Sequence, residues 1–448
     1  MRNNCAPIII TPFCVFRAIF LRRSVLQAMT IKRIKKKHVG WIAGLAVCSL
    51  VFVSMGFDGF LNSFSQWPPR SQDIHVCGIG AWGRLWYEPS SIEIPPDRIQ
   101  FQNFTVKKTQ WYVAGGSSAG LMESLQSCGL TPEQIRDLAS TMSPAPDGTG
   151  RILTPPGEWI VSLSDPIRRK LYGMLAKYAP NDMCAWPFRF SGDSPDDWLK
   201  KGTMDPEVMD LVKSLIYHEG KSQMFSDLNF VLECYPSVGV YSNLFTVLSR
   251  QSTLVARVRV LPEDDVDTLA RYWGVPHREA EVRTLMKTLQ GTDDCRDVPV
   301  SMLLPGFARD RIYRYWHEGD PEFASCHYTA MNFLNERADG QFTNLTHVAQ
   351  VLANDYVEVK QDFKLGDVIL LMKNASEAIH SCNYVAGGIV FTHNGGSFTQ
   401  PWMLTTLDAV VDFYSYPDAV QVKVMRRRDL MDTTPDNVQL SFRPPPPQ

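Results

Sequence analysis

The 448-residue sequence predicts an α+β fold: an N-terminal membrane anchor, a mainly helical middle domain, and a C-terminal domain in which one helix precedes an antiparallel sheet. Three observations predict it. A basic cluster near the N-terminus runs into an uncharged apolar stretch. Between residues 121 and 315, capping side chains recur ahead of prolines and amphipathic stripes. After residue 316 the apolar pattern passes from a helical spacing to short runs bounded by turn residues, the mark of strands.

The anchor comes first. Lys32, Arg33, Lys35, Lys36 and Lys37 precede the run from Trp41 to Phe57, which is uncharged for 17 residues until Asp58 ends it. That length sits at the lower edge for a membrane span and above the usual core of a cleaved signal. No small-x-small cleavage site follows, so residues 29–58 read as a retained signal anchor. Its basic end is cytoplasmic and the bulk of the chain extracytoplasmic, or secreted if the signal is cut. Val47 stands where a lipoprotein signal wants a small residue, which argues against Cys48 as a lipid attachment point. Residues 1–28 read as an upstream extension, because Met29 opens a tidier export signal.

Residues 59–120 read as a linker and short β/turn region, with Pro68-Pro69 near its start. Gly78 to Gly83 fits the dinucleotide pattern G-x-G-x-x-G, but Pro89 and Pro95-Pro96 prevent the helix that would hold a pyrophosphate. Gly116-Ser117-Ser118-Ala119-Gly120 fits a nucleophile elbow. The mostly helical stretch after it lacks the alternation of strands and helices that a serine hydrolase needs.

The helical domain spans 121–315. Thr131-Pro132-Glu133, Ser164-Asp165-Pro166 and Asp205-Pro206-Glu207 each set a capping side chain before Pro. Ile167 to Leu175 and Val208 to Ile216 show amphipathic spacing, which marks core-facing stripes. No H-E-x-x-H, P-loop or EF-hand pattern occurs, so no metal, nucleotide or other cofactor is implied. The formal net charge of −2 excludes a strongly basic nucleic-acid-binding protein. Seven cysteines lie beyond residue 58 without a C-x-x-C pair, which argues against a zinc ribbon and, in an oxidising compartment, leaves at least one thiol unpaired.

The last domain, 316–428, carries the chemistry, and 429–448 reads as a disordered tail; Arg426-Arg427-Arg428 just before it and the Pro444 to Pro447 run within it read as solvated. Ser325 is a natural N-cap for a helix through Leu334, which puts Cys326 at its first position. Unpaired N–H groups and the positive end of the helix dipole there favour thiolate and can cradle an oxyanion. Gly366-Asp367 leads into a buried strand, Val368 to Met372. Ala378 to Val385 and Gly388 to His393 read as two more, the last ending at an Asn394-Gly395 hairpin signal. Neighbouring antiparallel strands are expected to set His380 and His393 on one face, with Cys326 pointing at them. His393 is preferred to Asn394 as the group that orients His380, because a positive-φ turn accounts for Asn394. Cys382 shares a strand face with His380 and reads as core packing. His327 reads as an exposed first-turn residue.

On these motifs the stretch from Cys326 to Tyr416 resembles the NlpC/P60-type branch of the papain-like cysteine peptidases. There, a cysteine opens a helix, a Gly-Asp strand follows, a strand carries histidine, and a third polar residue lies about a dozen positions on. His380 follows Cys326 by 54 positions and His393 follows His380 by 13. Ser325-Cys326-His327-Tyr328 replaces the family's Asp-Cys-Ser-Gly, and Ser381-Cys382 its Val-Gly. The resemblance implies a papain-like fold and an exported, membrane-anchored cysteine hydrolase that cleaves amide bonds, with peptidoglycan stem peptides or other envelope peptides as substrate. Cys326 is then the nucleophile, His380 the base and His393 its orienter. The alternative is a non-catalytic cell-envelope scaffold with a degenerate module of this kind. A transglutaminase-like variant wants an Asp after the histidine strand, and none occurs before Asp408.

Overall fold

The structure is a computed structural model. It describes residues 74–431 apart from 96–98, 100–104, 116, 192–194, 200–203, 293–295, 318, 322–323, 396–398 and 416–418. The signal anchor expected at 29–58, the extension at 1–28 and the proline-rich tail all lie outside the described residues. Among the described residues no helix is long and apolar enough to cross a membrane.

The chain opens with a hairpin, β1 (His75–Gly80) and β2 (Gly83–Ile92), in the segment read as linker and β/turn. Gly78 to Gly83 is the end of this hairpin, with Gly80 paired to Gly83. β3 (Trp111–Ala114) leads to α1 (Ser118–Ser127), which Ser117 caps by accepting from Gly120 N–H. α2 (Pro132–Ser140) follows, held by a full capping box between Thr131 and Gln134. β4 (Ser143–Pro144) and β5 (Gly150–Leu153) complete a three-stranded sheet with β3. Next come α3 (Gly157–Ser162), α4 (Asp165–Leu175), α5 (Asp182–Ala185), β6 (Phe188–Ser191), α6 (Pro195–Leu199) and α7 (Pro206–Leu215). The Asp205 carboxylate caps α7 by accepting from Glu207 N–H. The cap expected of Ser164 does not form through its side chain; Asp165 instead accepts from His218.

β8 (Ser222–Phe225) pairs with both β6 and β7 (Tyr217–Glu219) as another small sheet, and α8 (Leu228–Cys234) and α9 (Val238–Leu248) lead to β9 (Gln251–Arg259). β9 pairs along its whole length with β2. The mainly helical middle of the chain therefore also carries strands, of which β9 is the longest. In β9 Leu254, Ala256 and Val258 are buried while the intervening Val255, Arg257 and Arg259 are half-buried, an alternation that suits one face on a core. α10 (Val266–Trp273), α11 (Glu279–Gln290), β10 (Asp297–Pro299), α12 (Val300–Leu303) and α13 (Gly306–Arg311) follow, and β10 extends the sheet to the order β1-β2-β9-β10.

The last part is β11 (Arg314–Tyr315), α14 (Cys326–Asn332), α15 (Leu345–Asp355), β12 (Tyr356–Val359), β13 (Val368–Met372), β14 (Ala378–Ala386), β15 (Ile389–His393), β16 (Pro401–Thr406), α16 (Leu407–Tyr414) and β17 (Gln421–Arg427). Its strands form one antiparallel sheet in the order β11-β16-β15-β14-β13-β17-β12. Helix α14 covers one face, where Phe333 meets Phe391 and Asn383 donates to Ala330 O at 3.0 Å. Helix α16 covers the other, where Val410 packs with Ile369, Leu371, Cys382 and Val390.

Two details set the register. Gly387 and Gly388, both at positive φ, turn β14 into β15 with Ala386 opposite Ile389, a two-residue turn that needs left-handed backbone at both positions. A bulge between Tyr384 and Ala386 then shifts the pairing by one, so that Asn383 faces Phe391. The Val385 carbonyl accepts from the Tyr272 hydroxyl at 2.7 Å, so α10 satisfies a backbone group at the bulge.

The basic end of β17 is not a solvated tail. Arg426 is buried and forms a two-pronged ion pair with the buried Asp367, at 2.8 and 2.7 Å, and also donates to Asp362 O. Asp367 further accepts from Lys364 N–H at 2.8 Å. Gly366, at φ +91°, packs so tightly on Leu334 that a Cβ would lie 2.6 Å from its side chain. The Gly-Asp pair is thus a clasp joining α14, β13 and β17.

Candidate active site

Ser325 caps α14 as expected, accepting from Tyr328 N–H at 3.2 Å, which leaves Cys326 as the first helical residue. Asn332 locks the other end through bonds to Tyr328 O, Asp339 and Asn335. Past the Asn383–Phe391 pair, β14 and β15 no longer pair. In that gap the Ser381 N–H points at the Cys326 sulfur, as do the N–H groups of His327 and Cys326 and the Ser381 hydroxyl.

The expectation of a thiolate fails. Cys326 is 6% exposed, and burial raises its thiol pKa despite those donors. Desolvation of a charged sulfur outweighs one helix end and a handful of dipoles. His327 is not an exposed bystander either: it is half-buried, its Nδ1 lies 2.9 Å from Ser381 Oγ, and burial lowers its pKa. Ser381 therefore lies between the sulfur and one imidazole.

His380 and His393 do not share a face. His393 lies on the α14 side, stacked on Trp402 with centroids 4.5 Å apart, while Trp402 donates to Thr329 of α14. Burial takes its pKa down to about 4, against the pull of the Gly395 and Gln400 carbonyls and of Asp320. His380 lies on the α16 side, stacked on Tyr414 at 4.2 Å and nearly parallel to it. The cause is the bulge at Val385. Without it a two-residue turn would put His393 opposite Cys382, on the face of His380; the one-residue shift turns β15 over and brings Thr392 there instead.

Thr392 is the group that orients His380. His380 Nε2 lies 3.0 Å from Thr392 Oγ1, and Thr392 in turn donates to Asn394 Oδ1 at 3.2 Å. Because the threonine proton is committed to Asn394, its lone pairs face the ring, which places the imidazole proton on Nε2 and the lone pair on Nδ1. That Nδ1 is buried and has no hydrogen-bond partner. Burial, followed by the nearby His327 and His393, lowers the His380 pKa far below its ordinary value. Cys382 lies on the same face in apolar packing, and burial raises its thiol as well.

Position parity pointed to Thr392 once the bulge was known; nothing in the sequence pointed to Tyr414. A cleft of about 350 Å³ opens on the far side of Tyr414 and Asn394, lined also by Trp186, Arg189, Gln400 and Phe413. Cys326 and His380 lie behind this wall and do not line it. Among the described residues no group of three or more His, Cys, Asp or Glu could hold a metal ion, and the six cysteines there are all free thiols. In comparisons with known proteins no family model matches the chain, and no curated protein or solved structure matches it significantly.

Proposed function

We propose that the chain is a cysteine hydrolase of papain-like type acting on amide bonds. The observation that carries this is the oriented imidazole: the Thr392–Asn394 chain fixes the proton on Nε2 and leaves a buried, unpartnered Nδ1, one residue before the Ser381 N–H that points at Cys326. Cys326 then attacks the carbonyl, His380 takes the thiol proton on Nδ1 and returns it to the leaving amine, a water deprotonated by the same Nδ1 cleaves the resulting thioester to free the carboxylic acid and return the thiol, and Thr392 holds the ring. The N–H groups around the sulfur are placed to bind the developing oxyanion. Thiol and imidazole both rest neutral, so the ion pair forms only as the proton moves. The resemblance and the basic-then-apolar N-terminus support an extracytoplasmic, membrane-anchored enzyme and an envelope peptide as substrate.

The test is alkylation of the full chain by iodoacetamide across a pH series, with the modified residue identified by mass spectrometry, beside hydrolysis of envelope peptides. Cys326 should react faster in the wild type than in His380→Ala, and Cys326→Ala should abolish hydrolysis. Equal alkylation in the two proteins, or undiminished hydrolysis by Cys326→Ala, removes the proposal.

A scaffold without catalysis is the second reading, favoured by the burial of both groups, Cys326 at 6% and His380 at 0% exposure. It predicts wild-type behaviour for Cys326→Ala and loss of function on deleting 121–315.

A further inference from the structure

The cleft beside Tyr414 holds two unsatisfied groups of opposite kind. Gln400 is 6% exposed, and its Oε1 acceptor is buried without a partner. Arg189 presents a buried Nε donor, also without a partner. The Arg189 guanidinium is fixed: it lies over the Phe413 ring at 3.9 Å and donates through Nη2 to the Phe413 carbonyl. No carboxylate of the described residues lies within ion-pair distance of it, and Glu219 acts on it only from further off. A guanidinium whose Nε–H is buried without a partner is costly, as is a buried acceptor without a donor. Both costs vanish if a ligand supplies an anion to Arg189 and an N–H to Gln400. Beside them Trp186, 66% exposed, offers an aromatic face to the same cleft.

We infer that the cleft binds the C-terminal residue of a peptide, with its α-carboxylate on Arg189, its amide N–H on Gln400 Oε1 and an apolar side chain against Trp186. One residue of a peptide carries all three features, and one residue is what a cleft of about 350 Å³ has room for. The inference rests on the hydrolase reading only for the direction from which substrate arrives: a peptide seated by its free end reaches past Tyr414 and Asn394 toward the reacting groups.

The experiment uses the full chain carrying Cys326→Ala, so that nothing is cleaved. N-acetyl-alanyl-phenylalanine and its C-terminal amide are titrated calorimetrically. The free carboxylate should bind about tenfold or more tighter than the amide, the usual scale for a hydrogen bond to a charged group. In Arg189→Gln the two should bind alike. Gln400→Met should weaken both by a similar factor and keep their ratio. Equal binding of acid and amide, binding of neither, or a ratio that survives Arg189→Gln overturns the inference. The acid-to-amide ratio in the unaltered cleft decides the matter even if a variant does not fold. Because binding is measured without chemistry, a positive result beside a catalytically dead wild type would sink the hydrolase proposal alone.

Discussion

Replacing Thr392 by Val tests the oriented imidazole most directly. The two side chains have nearly the same shape, and Thr392 and His380 are both fully buried, so the change leaves no cavity and admits no water. What it removes is the oxygen 3.0 Å from His380 Nε2 and the proton donated to Asn394 Oδ1. Asn394 lines the cleft and can turn its amide toward solvent. The Nε2–H has no such exit. Leaving one buried donor unsatisfied costs about 1–3 kcal/mol, with the lower half of that range expected because the valine methyl recovers some apolar burial. Urea unfolding of wild type and Thr392→Val, with unchanged m-values, gives the number. The second readout is chemical. With its anchor gone the ring is free to move its proton to Nδ1 and to tilt on Tyr414, so alkylation of Cys326 should slow about tenfold or more at fixed pH. A variant as stable and as reactive as the wild type, in a background where His393→Ala does slow the thiol, would return the orienting role to His393 and refute the geometry argued above.

Acid should destabilise the protein through its buried imidazoles. The unfolded chain takes up a proton near pH 6.5 that folded His393 refuses until about pH 4, so its contribution is complete above 6.5 and falls by about 1.4 kcal/mol per unit below it. Between pH 7 and 5 that amounts to about 2 kcal/mol, with a further loss of the same sign from His380; His393→Gln should flatten the slope, and an unchanged slope would show the site protonates freely. Asp367→Ala strands a buried Arg426 and should cost about 3–5 kcal/mol by urea unfolding, whereas Asp367→Ala with Arg426→Met should cost less than the single change; additive losses would mean no coupling. Tyr272→Phe deletes only the hydroxyl that bonds Val385 O and should cost about 1 kcal/mol or more, with faster amide exchange in β14 than in β13 as the sign that the bulge has loosened.

The parts of the fold that sequence reasoning reached are those written in local chemistry. Thr131 and Asp205 cap their helices through side-chain bonds, and Ser325 caps α14, because a capping residue acts within three positions of itself. β13, β14 and β15 were legible from bounded apolar runs. The long β9 is not, because Arg257 and Arg259 interrupt its apolar residues and it sits in a stretch marked by recurring helix caps. Arg426 misled for a related reason: three arginines in a row look solvated until a buried Asp367 is seen 59 positions away.

The site failed at a different scale, and the reason lies in one residue. Cys326 and its cap were legible, and so was His380 on a strand, but which residues join them depends on register, which a two-residue turn and a bulge set together. The Gly387-Gly388 turn is visible in the sequence; the bulge at Val385 is not, since what sustains it is a hydroxyl from Tyr272, 113 positions upstream. Counting thirteen positions from His380 to His393 selects the wrong partner by one, and a slip of one in a strand exchanges the two faces of a sheet. The same slip explains why an imidazole ended up stacked on Trp402 with no task in the relay while a threonine took its place. Thus loosening the bulge by Tyr272→Phe should disturb Cys326 reactivity from a distance, through Thr392, and should do so only if the relay set by the register is the one that works.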